Sequence, residues 1–215
     1  MRGKTDTEES SRIVAEIALT IYPECQLSAI YGLTDLFRLA VTAAQMAGER
    51  DAPVIRVTHW QETDEGVACT FDSHPGEPHR VTYIITPPSL VMPNDLPSMR
   101  ALAVWMTRHH EQGAILCSVC AGAFVLAETG LFEGREVTTH WAFAEALSSR
   151  FPDAKVDADR IIVDDGDIIT AGGILAWTDL GLTLVQRLLG ASSMLQTARF
   201  LLIDPPRQAQ RPYIS

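Results

Sequence analysis

Two short stretches of this chain, Val81–Thr86 and Ala114–Val119, run apolar without the in-and-out alternation of a strand that has one wet face. Strands of that kind need cover on both sides, and in proteins the cover of a parallel sheet is helical. The rest of the sequence supplies it. Leu27–Met46 carries Ile30, Leu33, Phe37, Ala40 and Ala44 at helical spacing and is closed by Gly48. Leu96–Gln112, Ala121–Glu128, Trp141–Arg150, Ile174–Leu189 and Ala191–Leu202 also read as helices, with Gly113, Gly130, Pro152 and Gly190 as stops. Further strands are expected at Ile13–Tyr22, at Val54–Trp60 with positions facing alternately inward and outward, and at Ile161–Asp164 and Asp167–Thr170 around the turn pair Asp165-Gly166. Gly66–Asp72 reads as a small hairpin arm ahead of the polar loop Asp72–His79. Strands alternating with helices give an α/β three-layer sandwich, a mostly parallel sheet covered by helices on both faces.

With 47% hydrophobic and 20% charged residues in 215, such a core can be filled, and a wholly disordered chain is excluded. Residues 1–12 read as a flexible leader, 13–204 as one domain without an internal repeat, and 205–215, with Pro205, Pro206 and Pro212, as an extended tail. The leader lacks the apolar centre of a signal peptide, and no uninterrupted apolar run approaches the ~20 residues that span a bilayer. Four cysteines, irregularly placed, make no disulfide framework, so a cytoplasmic location is expected, with no membrane partner. A formal charge of −10 opposes non-specific nucleic-acid binding.

In an open parallel sheet, sites lie beyond the carboxyl ends of the strands, which here means just after Tyr22, Thr86, Val119 and Thr170. The third of these places holds the sharpest local feature. Strand Ala114–Val119 runs straight into a helix with Cys120 at the corner, and Ser118, Gly122 and Ala123 leave room for a tight turn. That is the pattern of a nucleophile elbow bearing sulfur. A helix starting there favours thiolate, and the Ala121 N–H would face an oxyanion. The plain alternative is that Cys120 is a small buried hydrophobe. His140, in Thr138-Thr139-His140-Trp141, is the candidate proton acceptor; its alternative role is to cap the next helix. Cys117 and Cys120 form a CxxC with no second pair, and the adjacent His109-His110-Glu111 suits a solvated helix end better than a metal. No metal and no cofactor are expected.

The elbow Ser118–Phe124, together with Leu131–Arg135, Thr138–Trp141, Ile21-Tyr22-Pro23, Gly32–Phe37, Ile168–Gly173 and Ala198–Pro205, resembles the ThiJ/PfpI superfamily. The resemblance implies a flavodoxin-like fold of the class I glutamine amidotransferase type. It is greatest to the amino-terminal sensor domains of AraC-type transcriptional regulators. In those a helix-turn-helix module normally follows; this sequence ends at Ser215 ahead of one, so direct binding of nucleic acid by this chain is not expected. Enzymes of the superfamily place an Asp or Glu on the cysteine sulfur, where this chain has Ser28-Ala29, and a Gly-Gly turn where it has Pro87-Pro88-Ser89. Proline has no N–H, so Ser89 is the remaining donor there.

The leading expectation is therefore a regulatory domain that senses an unknown small molecule around Cys120, with Ser89, Ala121 and Gly173 as binding residues and a homodimeric assembly. The alternative is a cysteine-dependent enzyme, a hydratase, hydrolase or glyoxalase-like protein, using Cys120 and His140. A third reading is redox response through oxidation of Cys120 to a sulfinic acid or its pairing with Cys117.

Overall fold

The computed structural model describes residues 13–48 and 53–213; the expected leader lies outside them. Seven strands form one sheet in the order β3-β2-β1-β4-β5-β9-β8. These are β1 (Ile13–Ile21), β2 (Val54–Thr63), β3 (Gly66–Asp72), β4 (Val81–Thr86), β5 (Ile115–Val119), β8 (Ile162–Asp164) and β9 (Ile168–Ala171). The five inner strands are parallel, and the two edge strands, β3 and β8, pair antiparallel through hairpins. Helix α1 (Leu27–Met46) follows β1 and leads to β2 on one side, whereas α2 (Arg100–Glu111) follows β4 and leads to β5 on the other. Right-handed crossovers of opposite sense put these helices on opposite faces. The last long helix, α5 (Trp177–Leu201), packs beside α1. Gly190 leaves the helical region there (φ 88°, ψ 167°), which divides α5 at the residue where the sequence places a stop.

Helix α1 has the length and hydropathy of a membrane span, but half of it is buried in the protein. Ile30, Leu33, Phe37 and Ala40 are fully enclosed, which makes it a core helix.

Four expectations change on contact with the structure. Helix α2 begins at Arg100 and not at Leu96, because Pro97 holds the residue before it extended. Strand β2 does not alternate: Ile55 to Trp60 are all buried, since Arg56 and Thr58 are enclosed with partners. Arg56 forks onto Asp72 (3.0 and 2.6 Å), and Thr58 donates to Glu16 (3.1 Å), whose other contacts are His79, the Arg80 N–H and, at 3.6 Å, Arg56 itself. Trp141–Phe143 is a 3-10 turn ahead of helix α4 (Ala144–Arg150), the helix after the elbow being α3 (Gly122–Ala127). Nor is the end of α2 simply solvated: His109 packs on Trp105 and His110 bonds Asp167 at 2.8 Å. A two-strand parallel ribbon, β6 (Glu136–Val137) with β7 (Lys155–Val156), has no counterpart in the sequence reading.

The tail after Pro205 has neither helix nor strand before a short turn at Arg211–Tyr213. It is nonetheless docked, with Ala209 bridging Arg160 and Gln210 buried.

Candidate functional site

The topological switch point lies between β1 and β4, and Tyr22 closes it by donating its hydroxyl to Pro87 O. Beyond it the chain makes a left-handed turn at Glu24 (φ 61°), which folds Cys25 back against Ser89 as an isolated antiparallel bridge. The flanking bonds, Gln26 N–H to Pro88 O (2.7 Å) and Leu90 N–H to Glu24 O (2.8 Å), fix this loop to the end of β4.

Cys120 follows β5 on the neighbouring strand. Its backbone takes φ 53°, in the left-handed region that costs a side-chain-bearing residue of order 1–2 kcal/mol. Its N–H donates to Ala171 O at 2.8 Å and its carbonyl accepts from Thr139 Oγ1 at 2.7 Å. Gly122 allows the turn: a Cβ there would stand 2.5 Å from Thr86 O. Strand-end β4, elbow and the Thr138–Trp141 loop are thereby one packed unit. Thr86 ties it further, its one hydroxyl hydrogen shared between Cys117 O and Gly122 O, both at 3.1 Å.

The electrostatics run against the expectation from the helix terminus. Burial pushes the Cys120 thiol up to about 11, outweighing the Ala121 N–H, which bonds the sulfur and favours its charge. Cys117, wholly enclosed, is pushed up further still. Tyr22 is also held well above the usual phenol value, first by burial and then by the neighbouring Cys25 and Cys120 sulfurs. Cys120 is only 2% exposed, so the corner is tight but its sulfur does not face an open cleft. Where catalytic relatives were expected to carry an acid, Ala29 is completely buried.

His140 sits at the start of the 3-10 turn, where Nδ1 accepts the Ala142 N–H at 3.2 Å, the capping role weighed above. Its ring packs against Trp141 and Phe143, and burial lowers its pKa. It is linked to Cys120 through its neighbour Thr139. Gly173 takes φ 94° at the turn after β9, and its carbonyl accepts the Ala176 N–H. Ser89 Oγ accepts the Val91 N–H at 3.1 Å. Among the described residues no cluster of three or more His, Cys, Asp or Glu could hold a metal.

Two cavities flank Tyr22. One of about 600 Å³ is lined by Glu24, Cys25, Gln26, Ser28 and Leu90, and one of about 380 Å³ by Pro23, Gln61, Met99 and Leu102. Cys120, Ala121, His140 and Gly173 line neither. The position after Tyr22 is one of the four places where the sequence allows a site, and Ile21-Tyr22-Pro23 there belongs to the family resemblance. Cys25 and Gln26 carried only a positional signal, the end of β1, without a motif. Three buried polar atoms in the elements around this end of the sheet have no partner among the described residues: Gln26 Oε1, Ser118 Oγ and Trp177 Nε1. The Trp177 ring lies against Gly32 of α1, where a Cβ would be 2.8 Å from Cζ3.

With this geometry, the family model described as DJ-1/PfpI matches residues 63–187, more than half of the chain. The chain belongs to the DJ-1/PfpI family. Isonitrile hydratase from Pseudomonas putida is 38% identical over 82 residues, 38% of this chain and 35% of that protein. The HTH-type transcriptional regulator CdhR from Pseudomonas aeruginosa is 33% identical over 114 residues, 52% of this chain and 34% of the regulator. The matches thus span about a third of each of these curated relatives. Drosophila melanogaster DJ-1beta superposes with a TM-score of 0.64 at 16% identity, covering 88% of this chain and 98% of that one. This likeness is one of fold. The DJ-1/PfpI relatives therefore include both an enzyme and a regulator.

Proposed function

We propose that this DJ-1/PfpI chain is a small-molecule-sensing domain of the kind related to AraC-type regulators, with its ligand site at the carboxyl end of β1, β4 and β5 and with weak or absent turnover. The observation that carries the reading is the enclosure of Cys120, which is 2% exposed and lines neither cavity; burial raises its pKa and so favours the protonated thiol at neutral pH. A thiol nucleophile needs the thiolate. Ala29 and Pro87-Pro88 supply neither a carboxylate nor oxyanion donors. The unpartnered Gln26 Oε1 and Trp177 Nε1 each cost about 1–3 kcal/mol, which a ligand offering a donor and an acceptor would offset. In our reading Cys120, Ser89, Ala121 and Gly173 belong to this site without lining either cavity, and Tyr22, which lines both and lies near the Cys120 sulfur, connects the two.

Assembly and location belong to the same proposal. Leu27 and Tyr31 on α1, and Leu195 and Phe200 on α5, are exposed apolar residues that suit a homodimer. Free cysteines throughout fit the reducing cytoplasm.

The test is thermal denaturation with millimolar panels of small carboxylates, amides and amines. At least one compound raises the melting temperature of the wild type, forms no product, and loses its effect in Gln26→Ala or Trp177→Phe. Turnover of an isonitrile or of methylglyoxal, abolished by Cys120→Ser, would instead establish the enzyme reading. That second reading draws on the isonitrile hydratase match and on the left-handed Cys120 with the Ala121 N–H on its sulfur.

A further inference from the structure

The tail residue Gln210 is 2% exposed and every polar atom of its amide is used. Oε1 accepts the Trp141 N–H at 3.0 Å; the two Nε2 hydrogens are shared among Thr139 O at 2.9 Å, Arg160 O at 3.0 Å and Thr138 Oγ1 at 3.2 Å. Three of these partners flank His140, and Thr139 holds the Cys120 carbonyl. The same amide fills the space beside Gly172, where a Cβ would overlap Nε2 and approach Thr139 O to 2.7 Å. Glycine is therefore required next to Gly173 because a tail side chain occupies that volume.

The tail is fastened at two further points. Arg207 meets the buried carboxylate of Asp179 through its backbone N–H (2.7 Å), Nε (3.2 Å) and a terminal nitrogen (2.7 Å). Ile161 N–H donates to Gln208 O at 3.1 Å, beside the Arg160–Ala209 bridge. A surface tail held only by proline stiffness needs no buried amide bonded through both its oxygen and its nitrogen.

We propose that Gln210 is a positioning residue for the Cys120 site, so that seating of the strap Arg207–Tyr213 and the state of the site are coupled. With Gln210 in place, the Thr138–Trp141 loop and the Gly172–Gly173 turn are locked against the elbow. Withdrawing it leaves the Trp141 N–H without its partner and leaves Thr139 O and Arg160 O only the single Thr138 hydroxyl hydrogen to share, which frees the loop that holds Cys120. Coupling of this kind is reciprocal: a change at Cys120 that displaces Thr139 loosens the strap. The inference deepens the sensing proposal by naming its output, but it is tested on geometry and not on any ligand.

The experiment compares alkylation of Cys120 and Cys117 by iodoacetamide, peptide by peptide, in the wild type and in Gln210→Ala. Loss of one buried hydrogen bond corresponds to roughly ten-fold in a local opening equilibrium. Cys120 should react about ten-fold faster while Cys117, enclosed in β5, keeps its wild-type rate. Global destabilisation would raise both rates together, which overturns the proposal, as does an unchanged Cys120 rate. If Gln210→Ala does not fold, Gln210→Asn, one methylene shorter, should show a smaller rise confined to Cys120. In the reverse direction, Cys69→Ser protein carbamidomethylated at Cys120 should be cleaved by trypsin after Arg207 about ten-fold faster than unmodified Cys69→Ser protein. Equal cleavage rates would refute the coupling. None of these outcomes depends on whether the chain senses a ligand or turns one over.

Discussion

Gly122→Ala puts a methyl group against the carbonyl ends of β4. The added Cβ would lie 2.5 Å from Thr86 O and 3.0 Å from Thr86 C, and closer still to Pro87 O. These are backbone atoms fixed in the central sheet, so the clash cannot be relieved by a side-chain rotation. Overpacking typically costs about 1–3 kcal/mol, and a backbone obstacle argues for the upper end. Replacing glycine by alanine in a helix returns at most about 1 kcal/mol. The net loss is about 2 kcal/mol, a fall in melting temperature of roughly 4–8 °C for a chain of this size. Gly181→Ala is the control. Its Cβ meets only the tips of Leu36 and Leu33, at 3.0 and 3.1 Å, which can swing aside. That variant should melt within about 3 °C of the wild type, since helix propensity and mild crowding nearly cancel. Calorimetry on both variants decides the matter. A Gly122→Ala protein as stable as wild type, or more so, would refute the close approach of elbow and β4 on which the site description rests.

Other outcomes follow from the same geometry. Burial lowers the pKa of His59, His109 and His140, and the Arg56 and Arg135 contacts keep Asp72 and Asp167 low; groups depressed in the folded state lose their contribution as pH falls, so stability should decline below about pH 6.5, read by chemical denaturation. Cys117, Cys120 and Tyr22 are raised, so their contribution is complete below the ordinary thiol value of 9.0 and is lost above it, giving a stability plateau between these limits. Titration with a chromogenic disulfide should show a single fast thiol, the half-buried Cys69, which disappears in Cys69→Ser; a second fast thiol would contradict the burial of Cys25, Cys117 and Cys120. With 27 acidic and 17 basic residues, the chain should show no sub-micromolar binding to duplex DNA at physiological salt in a fluorescence anisotropy titration.

Much of the architecture could be read directly because it is written in local chemistry. The bounds of α1 follow from its apolar stripe, the break in α5 from Gly190, and the β8–β9 hairpin from Asp165-Gly166. Misreadings occurred where polar residues are buried. Arg56 and Thr58 look like outward positions of β2, but Asp72 and Glu16, remote in sequence, enclose and pair them. The candidate site divides in the same way. Cys120 stands out because small residues around a strand–helix corner are a local pattern, and its positive φ is the backbone expression of that pattern. Gln210 gives no such signal: its role depends on bonds to residues about 70 positions away in an otherwise irregular tail. The net effect of burial on the thiol was hidden too, because it depends on the side chains that close over the sulfur and not on the helix that follows it.

The most direct test of a sensing rather than a catalytic Cys120 is its own titration. Wild-type protein would be alkylated with iodoacetamide across pH 6 to 9, and the Cys120 peptide quantified by mass spectrometry. With the thiol pushed up to about 11, the account requires the rate to climb about ten-fold per pH unit through this range without levelling off. A plateau reached at or below about pH 8 would mean that Cys120 is a thiolate under working conditions. The site would then have to be read as that of an enzyme.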